Sequence, residues 1–333
     1  MTITMLGSGA WGTALANLLC ENGHTVYLWT RSAQRAEAMK QSGVNPRLQG
    51  VSLHAALQPV SDFSSLTEST MVVFASPSYA IRQLAVDAAP YLRKDAVLVS
   101  ATKGIEAGTG LRMTQILEEV TGRSAVALSG PSHAEEVSRR LPTGCVAACA
   151  DAALAEQVQD AFMNDYFRVY ASLDVIGVEL SAALKNVIAL CAGVIDGLGL
   201  GDNTKALLVT RGLTELARLG IAMGGRQETF AGLAGVGDMI VTCTSMHSRN
   251  RRAGILLGQG IGVEQTMEQV GAVVEGYYAA RSAYELSKKM QVEMPITGEA
   301  YAVLYEGKSP SDTVHSLMNR GKKHEFEDSS WVG

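Results

Sequence analysis

The sequence predicts an α/β protein in which a doubly wound parallel sheet is followed by an all-helical C-terminal domain. Up to about residue 170, short β-prone runs alternate with helical patterns, as expected for a sheet with helices on both faces. The first β-prone run leads directly into a glycine-rich turn and a helical pattern. From Asp174 onward, long apolar patterns at helical spacing replace the strand signals. We therefore expect a sheet domain over residues 1–172 and a helical domain over residues 173–333.

The glycine-rich turn predicts a binding site for a dinucleotide. It follows the β-prone run at residues 2–6, precedes the helical pattern at 13–21, and reads Gly7-Ser8-Gly9-Ala10-Trp11-Gly12. In a Rossmann-like unit the first glycine makes the tight turn, the second lets the backbone approach a pyrophosphate, and the third allows close packing of helix on strand. The N–H groups at the helix start supply the anion site. A glycine-rich turn without a ligand is the alternative, and the position at the first strand-to-helix turn favours the dinucleotide.

The same patterns predict the other elements. Strands are expected at residues 25–29, 71–75, 96–100, 125–128 and 144–148. Apolar residues at helical spacing predict helices at residues 178–195, 205–219, 263–270 and 277–290. A ligand held by the sheet would lie beyond the carboxyl ends of its strands and would face the helical domain.

Composition and charge exclude several classes of protein. The 333 residues are enough for two hydrophobic cores, and 28 basic against 33 acidic residues give a formal net charge of −5. We therefore expect no global attraction for nucleic acid or for an anionic membrane. No uninterrupted apolar stretch approaches the length of a bilayer span, which favours a soluble, cytoplasmic protein without integral membrane association. The five cysteines form no C-x-x-C pair and are typical of reduced core residues, and no metal site is predicted.

The end of the second predicted strand bears on the choice of dinucleotide. Many NAD-binding domains have an acidic residue there that holds the ribose hydroxyls, whereas this chain reads Leu28-Trp29-Thr30-Arg31. The guanidinium of Arg31 suits a ribose 2′-phosphate, so the sequence predicts NAD or NADP as cofactor, with NADPH favoured. A solvated arginine after a strand is the alternative interpretation.

Two loops that follow predicted strands carry polar groups toward the same cleft. They read Ser100-Ala101-Thr102-Lys103-Gly104-Ile105-Glu106 and Ser129-Gly130-Pro131-Ser132-His133-Ala134. Lys103 is a compact cation suited to a phosphate or a polarised oxygen, although most loop lysines are solvated. His133 has an ordinary pKa near neutrality, but a lone histidine in such a turn is more often structural, and it is not assigned to the site.

Lys185 is the most informative candidate for proton transfer. Its helical pattern is apolar almost all round, with Leu180, Leu184, Val187, Ile188 and Cys191 on one face. Burial disfavours the charged form of lysine, which brings its pKa toward the range useful for acid-base chemistry. Asn186 is placed to fix a substrate oxygen, and Asp238 is a suitable partner for a buried ammonium. The alternatives are a snorkelling lysine and a carboxylate that caps a helix.

Two further segments suggest ligand contacts. Ser248, Arg249 and Asn250 lie in a stretch dense in anion-binding donors, for which a solvated basic turn is the alternative. Val273 and Glu275 lie in an apolar setting, where the acid would face a ribose hydroxyl or cap a helix. The charged tail at residues 320–328 is expected to be solvated or disordered.

Six separated motifs resemble the NAD(P)-dependent glycerol-3-phosphate dehydrogenase family, in order and over nearly the full length. They are GSGAWGTALA, SATKGIE, LSGPSHAEEV, ALKNVIAL, GLAGVGDMIVTCTS and SRNRRAG. The resemblance implies a Rossmann domain with a helical substrate domain, a homodimer, and interconversion of dihydroxyacetone phosphate with sn-glycerol 3-phosphate at the head of phospholipid synthesis. The chain departs from the family pattern at His133 and in the Tyr277-Tyr278 pair, which affects fine geometry and removes no charged catalytic group.

The resemblance also implies roles for individual residues. Lys185 matches the family's catalytic proton donor and acceptor, with Asn186 and Asp238 beside it. With Lys185 and Asp238, the implied substrate contacts are Lys103, Gly130, Ser132, Ser248, Arg249 and Asn250. With the glycines Gly7, Gly9 and Gly12, the implied dinucleotide contacts are Ser8, Trp11, Arg31, Lys103, Ala134, Arg249, Val273 and Glu275.

Two other functions remain open on the sequence. A β-hydroxyacid or 6-phosphogluconate-type dehydrogenase also joins a Rossmann domain to a helical domain that carries a lysine, and it would prefer a hydroxyacid to a phosphorylated ketone. A sensor that binds NAD(P) without catalysis would show cofactor binding and no turnover. A proton donor and a phosphate clamp in one cleft count against the sensor.

Overall fold

A computed structural model describes residues 1–325 and has a mixed eight-stranded sheet. In sequence order its strands are β1 (Thr2–Leu6), β2 (Thr25–Trp29), β3 (Gln58–Val60), β4 (Met71–Phe74), β5 (Val97–Ser100), β6 (Ala125–Ser129), β7 (Thr143–Ala148) and β8 (Phe167–Ser172). Their spatial order is β3-β2-β1-β4-β5-β6-β7-β8, so the sheet is wound outward in both directions from β1 and β4. The predicted doubly wound, Rossmann-like fold is confirmed.

The sheet differs from the expectation in two respects. The sheet is mainly parallel, as expected, but β7 runs antiparallel to β6, with Leu128 opposite Ala147. The sequence patterns also missed both edge strands. β3 has three residues and contains Pro59, and β8 exposes Arg168 and Tyr170 on its outer face. Short or half-polar edge strands carry little of the continuous apolar signal that identifies buried strands.

Helices cover both faces of the sheet. They are α1 (Ala10–Glu21), α2 (Ala33–Ser42), α3 (Ile81–Ala88), α4 (Met113–Thr121), α5 (Ala134–Val137) and α6 (Ala152–Phe162). Successive side chains of β4 point to opposite faces of the sheet. Met71 and Val73 pack in the core on one face, and Val72 and Phe74 pack in the core on the other. All four side chains are fully buried, as the continuous apolar run of a central parallel strand requires.

After β8, the rest of the described chain is helical. Its helices are α7 (Val175–Gly197), α8 (Gly201–Ala222), α9 (Gln227–Ala231), α10 (Asp238–Thr244), α11 (Arg249–Gly258), α12 (Val263–Val270), α13 (Glu275–Met290), α14 (Pro295–Tyr305) and α15 (Pro310–Met318). The four helices expected in this half are present as α7, α8, α12 and α13, each within a few residues of its predicted bounds. A π-helical turn at Leu233–Gly237 leads into α10.

Helix α7 is the central element of the helical domain. Its length and mean hydropathy of 1.7 would suit a membrane span, but Glu179, Lys185 and Asp196 interrupt its apolar run, and 83% of its most apolar stretch is buried inside the protein. Leu180, Leu184 and Ile188 join the largest core of this domain. The helix is therefore a buried core helix.

Glycines bring α7 and α11 into close contact. A Cβ atom on Gly193 would lie 2.0 Å from the carbonyl oxygen of Arg251, and one on Gly254 would lie 2.0 Å from that of Leu190. Gly197 and Gly258 continue the same crossing one turn later. Because no side chain fits between the two backbones, α11 is held against the C-terminal half of α7.

A buried ion pair ties the helical domain to the sheet domain. Glu179 of α7 accepts hydrogen bonds from the Arg112 guanidinium at 2.5 Å, the Thr114 N–H at 2.8 Å and the Thr114 hydroxyl at 2.5 Å. Since all these groups are buried, the pairing is favourable only with this full set of partners. It sets the position of α7 relative to the ends of the strands.

The predicted charged tail is exposed over residues 320–325. Arg320 and Lys323 form ion pairs with Glu293 there, so this part of the tail lies on the helical domain. The remaining residues of the tail, 326–328, lie outside the described residues.

Candidate active site

The ammonium group of Lys185 is buried and donates hydrogen bonds to two side chains. Only 4% of Lys185 is exposed, and its Nζ donates to Asp238 Oδ1 and, at 2.6 Å, to the hydroxyl of Thr242. Asp238 is the first residue of α10 and Thr242 lies one turn later on the same face. The carboxylate of Asp238 therefore pairs with Lys185, as the sequence suggested, and does not serve as a helix cap.

Lys103 approaches the same carboxylate from the sheet domain. Its Nζ donates to Asp238 Oδ2 at 2.8 Å, to the Gly130 carbonyl at 2.9 Å and to the Ser132 hydroxyl at 3.2 Å. Lys103 follows β5 and Gly130 follows β6, and these strands are neighbours, so their loops meet at one edge of the sheet. Asp238 thus bridges two ammonium groups contributed by two domains.

The backbone at Gly130 requires glycine. Its φ is +150°, and a Cβ atom there would lie 2.9 Å from both the Cys145 Cα and the Gly144 carbonyl oxygen. The carbonyl of Gly130 accepts hydrogen bonds from Lys103 and, at 2.8 Å, from Ser132. The close approach of β7 therefore holds the acceptor that orients Lys103.

Burial and charge set the protonation of this cluster. Desolvation, with a contribution from the nearby ammonium of Lys103, lowers the pKa of Lys185 to about 7, although Asp238 opposes the shift. Burial raises the pKa of Asp238, but the two ammonium groups outweigh it, and the net pKa lies below its ordinary value. Asp238 stays ionised while Lys185 is able to hold or release a proton near neutral pH.

Asn186 is linked to α11 and α13 through a buried amide. Asn250 donates from Nδ2 to Asn186 Oδ1 at 2.9 Å, and its own Oδ1 accepts from the Gly276 N–H at 2.8 Å. A Cβ atom at Gly276 would lie 2.6 Å from the Asn186 carbonyl oxygen, so glycine is needed for this approach. The amide of Asn186 is consequently held next to Lys185.

The expected phosphate-binding residues Ser248, Arg249 and Asn250 lie at the start of α11. Ser248 caps the helix by accepting from the Arg251 N–H at 3.2 Å, while Arg249 is exposed and Asn250 is buried. The segment is thus the cap and first turn of a helix, where N–H groups and the helix dipole favour an anion, and the side chain of Arg249 is in contact with solvent.

Two histidines face each other beside this cluster. His133 precedes α5 in the sheet domain and His247 precedes α11 in the helical domain, with ring centroids 5.8 Å apart. Burial, then the charges of Lys185 and Lys103, lower the pKa of His133 below its usual value. A neutral imidazole is the favoured form of His133, which gives it no charge with which to act in this cluster.

The glycine-rich turn fits a pyrophosphate. Gly7 has a φ of +135°, and a Cβ atom on Gly12 would lie 2.0 Å from the Gly7 carbonyl oxygen, so both are needed for the turn itself. A Cβ atom on Gly9 would meet no atom within 4 Å, so Gly9 borders open space. Gly9 precedes α1 without a side-chain cap, which leaves the first N–H groups of the helix directed at that space.

The other expected cofactor residues lie around the same edge. Arg31 is exposed just after β2, Ala134 begins α5, and Val273 and Glu275 lie at the start of α13. The ring of Trp11 packs against the core near Phe167, with centroids 6.5 Å apart. Ser8 is buried, and its carbonyl accepts from Asn45 Nδ2 at 3.0 Å.

The expected residues fall into two groups because of the strand order. Those after β5 and β6 join the helical domain in the cluster around Asp238, whereas Gly7 and Arg31 follow β1 and β2 on the other side of β4. The strand order therefore spreads the expected positions along one edge, and Lys103 and Ala134 of the dinucleotide set lie on the same side of β4 as the substrate residues. Among residues 1–325, no cluster of three or more histidine, cysteine or acidic side chains is able to hold a metal ion.

Sequence reasoning missed four residues that support these groups. They are Asn45, Ser78, Gly104 and Thr242. Thr242 stands four residues after Asp238, a spacing that places both on one helix face and that is visible in the sequence. The other three act through contacts with distant segments and leave no local signal.

Comparison with known proteins assigns the family. Residues 2–155 match the family described as NAD-dependent glycerol-3-phosphate dehydrogenase N-terminus, and residues 174–315 match the one described as its C-terminus. The chain is 52% identical to a glycerol-3-phosphate dehydrogenase [NAD(P)+] of Moorella thermoacetica, which it covers over 99% of both chains. It is 49% identical to the protein of the same name from a Thermoanaerobacter species, over 98% of this chain and 99% of the other.

Solved structures agree with this assignment. The crystal structure of glycerol-3-phosphate dehydrogenase from Coxiella burnetii superimposes with a TM-score of 0.92 at 36% identity, over 96% of this chain and 98% of that one. The match extends over both domains. The chain belongs to the NAD-dependent glycerol-3-phosphate dehydrogenase family.

Proposed function

We propose that this chain catalyses the reversible NAD(P)H-dependent reduction of dihydroxyacetone phosphate to sn-glycerol 3-phosphate, with Lys185 as the proton donor. The observation that carries the proposal is the buried Lys185 ammonium held by Asp238 beside Lys103. A group with a pKa of about 7 is matched to proton transfer at neutral pH. The identity of about 50% to dehydrogenases with this name supports the reaction.

The chain's own residues supply orientation and a proton. When bound, the nicotinamide supplies the hydride. Lys185 donates a proton to the oxygen at C2 as negative charge develops there, and Asp238 keeps the ammonium in position through the reaction. Lys103 adds a second positive charge near that oxygen, and Asn186 offers a neutral hydrogen-bonding group beside it. In the reverse direction neutral Lys185 accepts the proton.

The phosphate of the substrate is assigned to the first turn of α11. Ser248 and Asn250 offer hydrogen bonds, and the exposed guanidinium of Arg249 offers a planar pair of donors. Gly130 and Ser132 complete the substrate side through the loop after β6. Fixing the phosphate at the helix start sets the distance from the C2 carbonyl to Lys185.

The pyrophosphate of the dinucleotide is assigned to the other side of β4. Gly7, Gly9 and Gly12 form the pyrophosphate turn, where Ser8 and Trp11 contribute through the backbone, because their side chains are buried or packed on the core. Arg31, Lys103, Ala134, Arg249, Val273 and Glu275 surround the remaining parts of the ligand. Arg31 after β2, where an acidic residue is absent, favours NADPH over NADH.

Three further assignments accompany the reaction. The boundary between domains is placed at residues 172–173, supported by the end of β8 at Ser172 and the start of α7 at Val175. The chain acts as a homodimer in the cytoplasm, at the head of phospholipid synthesis, as the family resemblance implies. Light scattering of the purified protein tests the dimer, and a monomer mass at working concentration would contradict it.

Absorbance of NADPH, then of NADH, on addition of dihydroxyacetone phosphate tests the reaction. Rapid oxidation is expected, faster at equal concentration with NADPH. Addition of a β-hydroxyacid with NADP⁺, or of 6-phosphogluconate, should give little reduction of the dinucleotide. Turnover of these acids without oxidation of NADPH by the phosphorylated ketone would favour the hydroxyacid enzyme, and binding of NADPH without any turnover would favour the sensor.

A further inference from the structure

Ser78 connects the sheet domain to the first residue of α13. It lies in a short 3-10 turn, Ser78–Ala80, after β4, and is 6% exposed. Its hydroxyl donates to Glu275 Oε2 at 2.9 Å. One serine thus holds one acid across the boundary between domains.

The surroundings of Ser78 leave little freedom for another position. A Cβ atom on Gly104 would lie 2.4 Å from the Ser78 Cβ, so the loop that carries Lys103 packs directly on Ser78. The next residue, Tyr79, meets Tyr278, with ring centroids 6.0 Å apart. Because Tyr278 follows Glu275 by about one helical turn, two consecutive residues of the β4 loop contact one face of α13.

Glu275 is also connected to the Lys185 cluster. Its neighbour Gly276 donates to Asn250, and Asn250 donates to Asn186. Ser78 therefore contacts both sides of the proposed site: the loop of Lys103 through Gly104, and the neighbours of Lys185 through Glu275.

We propose that Ser78 is a positioning residue for the dinucleotide, which holds the Glu275 carboxylate where it accepts a hydrogen bond from a ribose hydroxyl. The proposal rests on the proposed function, since that function places Glu275 at the dinucleotide. The Ser78 hydroxyl restricts the rotation of the carboxylate, so less conformational entropy is lost when the ligand binds.

The charge of Glu275 depends on the same contacts. Burial raises its pKa, whereas the Ser78 hydroxyl, the charge of Arg249 on α11 and the Ser78 N–H lower it. Removal of the hydroxyl raises the pKa further, so the ionised form is lost at a higher pH. The ionised acid is the better acceptor for a ribose hydroxyl.

Equilibrium titration of NADPH fluorescence with Ser78→Ala tests the proposal without turnover. We expect the Kd for NADPH to rise about tenfold, in line with loss of a hydrogen bond to a charged group, with the KM for dihydroxyacetone phosphate within about twofold of wild type. The increase in Kd should grow as the pH falls. Ser65→Ala is the matched control, because Ser65 is also 6% exposed and its hydroxyl accepts from Thr4 at 3.0 Å, remote from the site.

A double-mutant cycle with Glu275→Gln separates positioning from general damage. In the Glu275→Gln background, Ser78→Ala should change the Kd by less than about twofold, because the acid on which Ser78 acts is already gone. The proposal would be overturned if Ser78→Ala raised the Kd equally in the wild-type and Glu275→Gln backgrounds, or if it left the Kd of the wild-type protein unchanged. If the alanine variant does not fold, Ser78→Cys, which keeps the size and weakens the donor, is put through the same cycle and the same criteria apply.

The proposal and the proposed function fail separately. Wild-type protein that binds NADPH but does not turn over dihydroxyacetone phosphate contradicts the reaction, while a Glu275-dependent loss of affinity on Ser78→Ala still supports the positioning role. Wild-type turnover together with an unchanged Kd in Ser78→Ala supports the reaction and rejects the role.

Discussion

Lys103 and Lys185 hold the same carboxylate from different domains. Lys103 Nζ lies 2.8 Å from Asp238 Oδ2, and Lys185 Nζ bonds Oδ1 of the same group. While Lys185 is protonated, one anion between two cations leaves a net positive charge in this cluster. That charge suits a site in which an oxygen becomes negative during the reaction.

Replacement of Lys185 should remove most turnover and leave the affinity for NADPH nearly unchanged. For Lys185→Ala we expect kcat to fall by about 10²–10⁴, the usual worth of a positioned general acid, because water must then supply the proton. NADPH affinity should stay within about twofold, since Lys185 lies among the substrate-side residues. Steady-state kinetics and NADPH titration check this, with Lys308→Ala as a control, because Lys308 pairs with Glu299 away from the site. Unchanged turnover would exclude Lys185 as the proton donor.

The pH profile should follow the protonation of Lys185. Because its pKa is about 7, the protonated acid is present below that pH and is lost above it, so kcat for ketone reduction should fall as the pH rises through about 7. Oxidation of glycerol 3-phosphate needs the neutral amine and should rise over the same range. Profiles in both directions that lack any inflection near neutrality would contradict this assignment.

The neighbours of Lys185 should move that profile in opposite directions. Asp238 raises the pKa of Lys185 and Lys103 lowers it. Asp238→Asn should therefore shift the loss of reduction to lower pH, and Lys103→Met should shift it to higher pH, alongside lower absolute rates in both variants. The profiles of residual activity provide the measurement, and shifts of the same sign would show that the two charges do not act through Lys185.

Arg249→Ala should chiefly weaken binding of the phosphorylated substrate. Loss of a charged hydrogen-bond donor is expected to raise the KM for dihydroxyacetone phosphate by tenfold or more. Arg252, exposed on the same helix, is the control, and Arg252→Ala should leave that KM within about twofold. If the wild-type protein reduced unphosphorylated dihydroxyacetone equally well, the proposed contact of Arg249 with the substrate phosphate would be wrong.

Arg31→Ala should alter the choice of cofactor. NADPH carries the 2′-phosphate that Arg31 is proposed to contact, and NADH does not, so the Kd for NADPH should rise about tenfold or more with little change for NADH. Parallel fluorescence titrations of the wild type and the variant measure the ratio of the Kd for NADPH to the Kd for NADH. A similar loss with both dinucleotides would mean that Arg31 contacts a part common to both.

Gly193→Ala should destabilise the folded protein. The added methyl group would lie 2.0 Å from the Arg251 carbonyl oxygen, so α7 and α11 must separate, at a cost of about 1–3 kcal/mol or more. Gly298 lies within α14, where a Cβ atom would meet no other atom within 4 Å, and Gly298→Ala should be neutral or stabilising by about 0.5–1 kcal/mol. Thermal unfolding of both variants gives the comparison, and equal Tm values would contradict the close crossing.

Local signals in the chain predicted much of this protein. Alternating apolar runs identified the central strands, and helical spacing identified α7, α8, α12 and α13, because each pattern reflects the period of its own element. The edge strands β3 and β8 and the antiparallel pairing of β7 were not predicted, since Pro59 and the exposed side chains of β8 break the apolar pattern, and strand direction depends on the path of the connecting chain.

The order of residues along the chain defines which groups are available: the glycine-rich turn, the lysine at 185, the acid at 238 and the donors at 248–250. The packing of distant segments defines which of these groups meet. Asp238 reaches both Lys185 and Lys103, and Ser78 reaches Glu275, through contacts between residues 53, 135 and 197 positions apart in the chain. Such distances are set by the packing of whole elements, including the glycine contact of α7 with α11, and no local pattern records them.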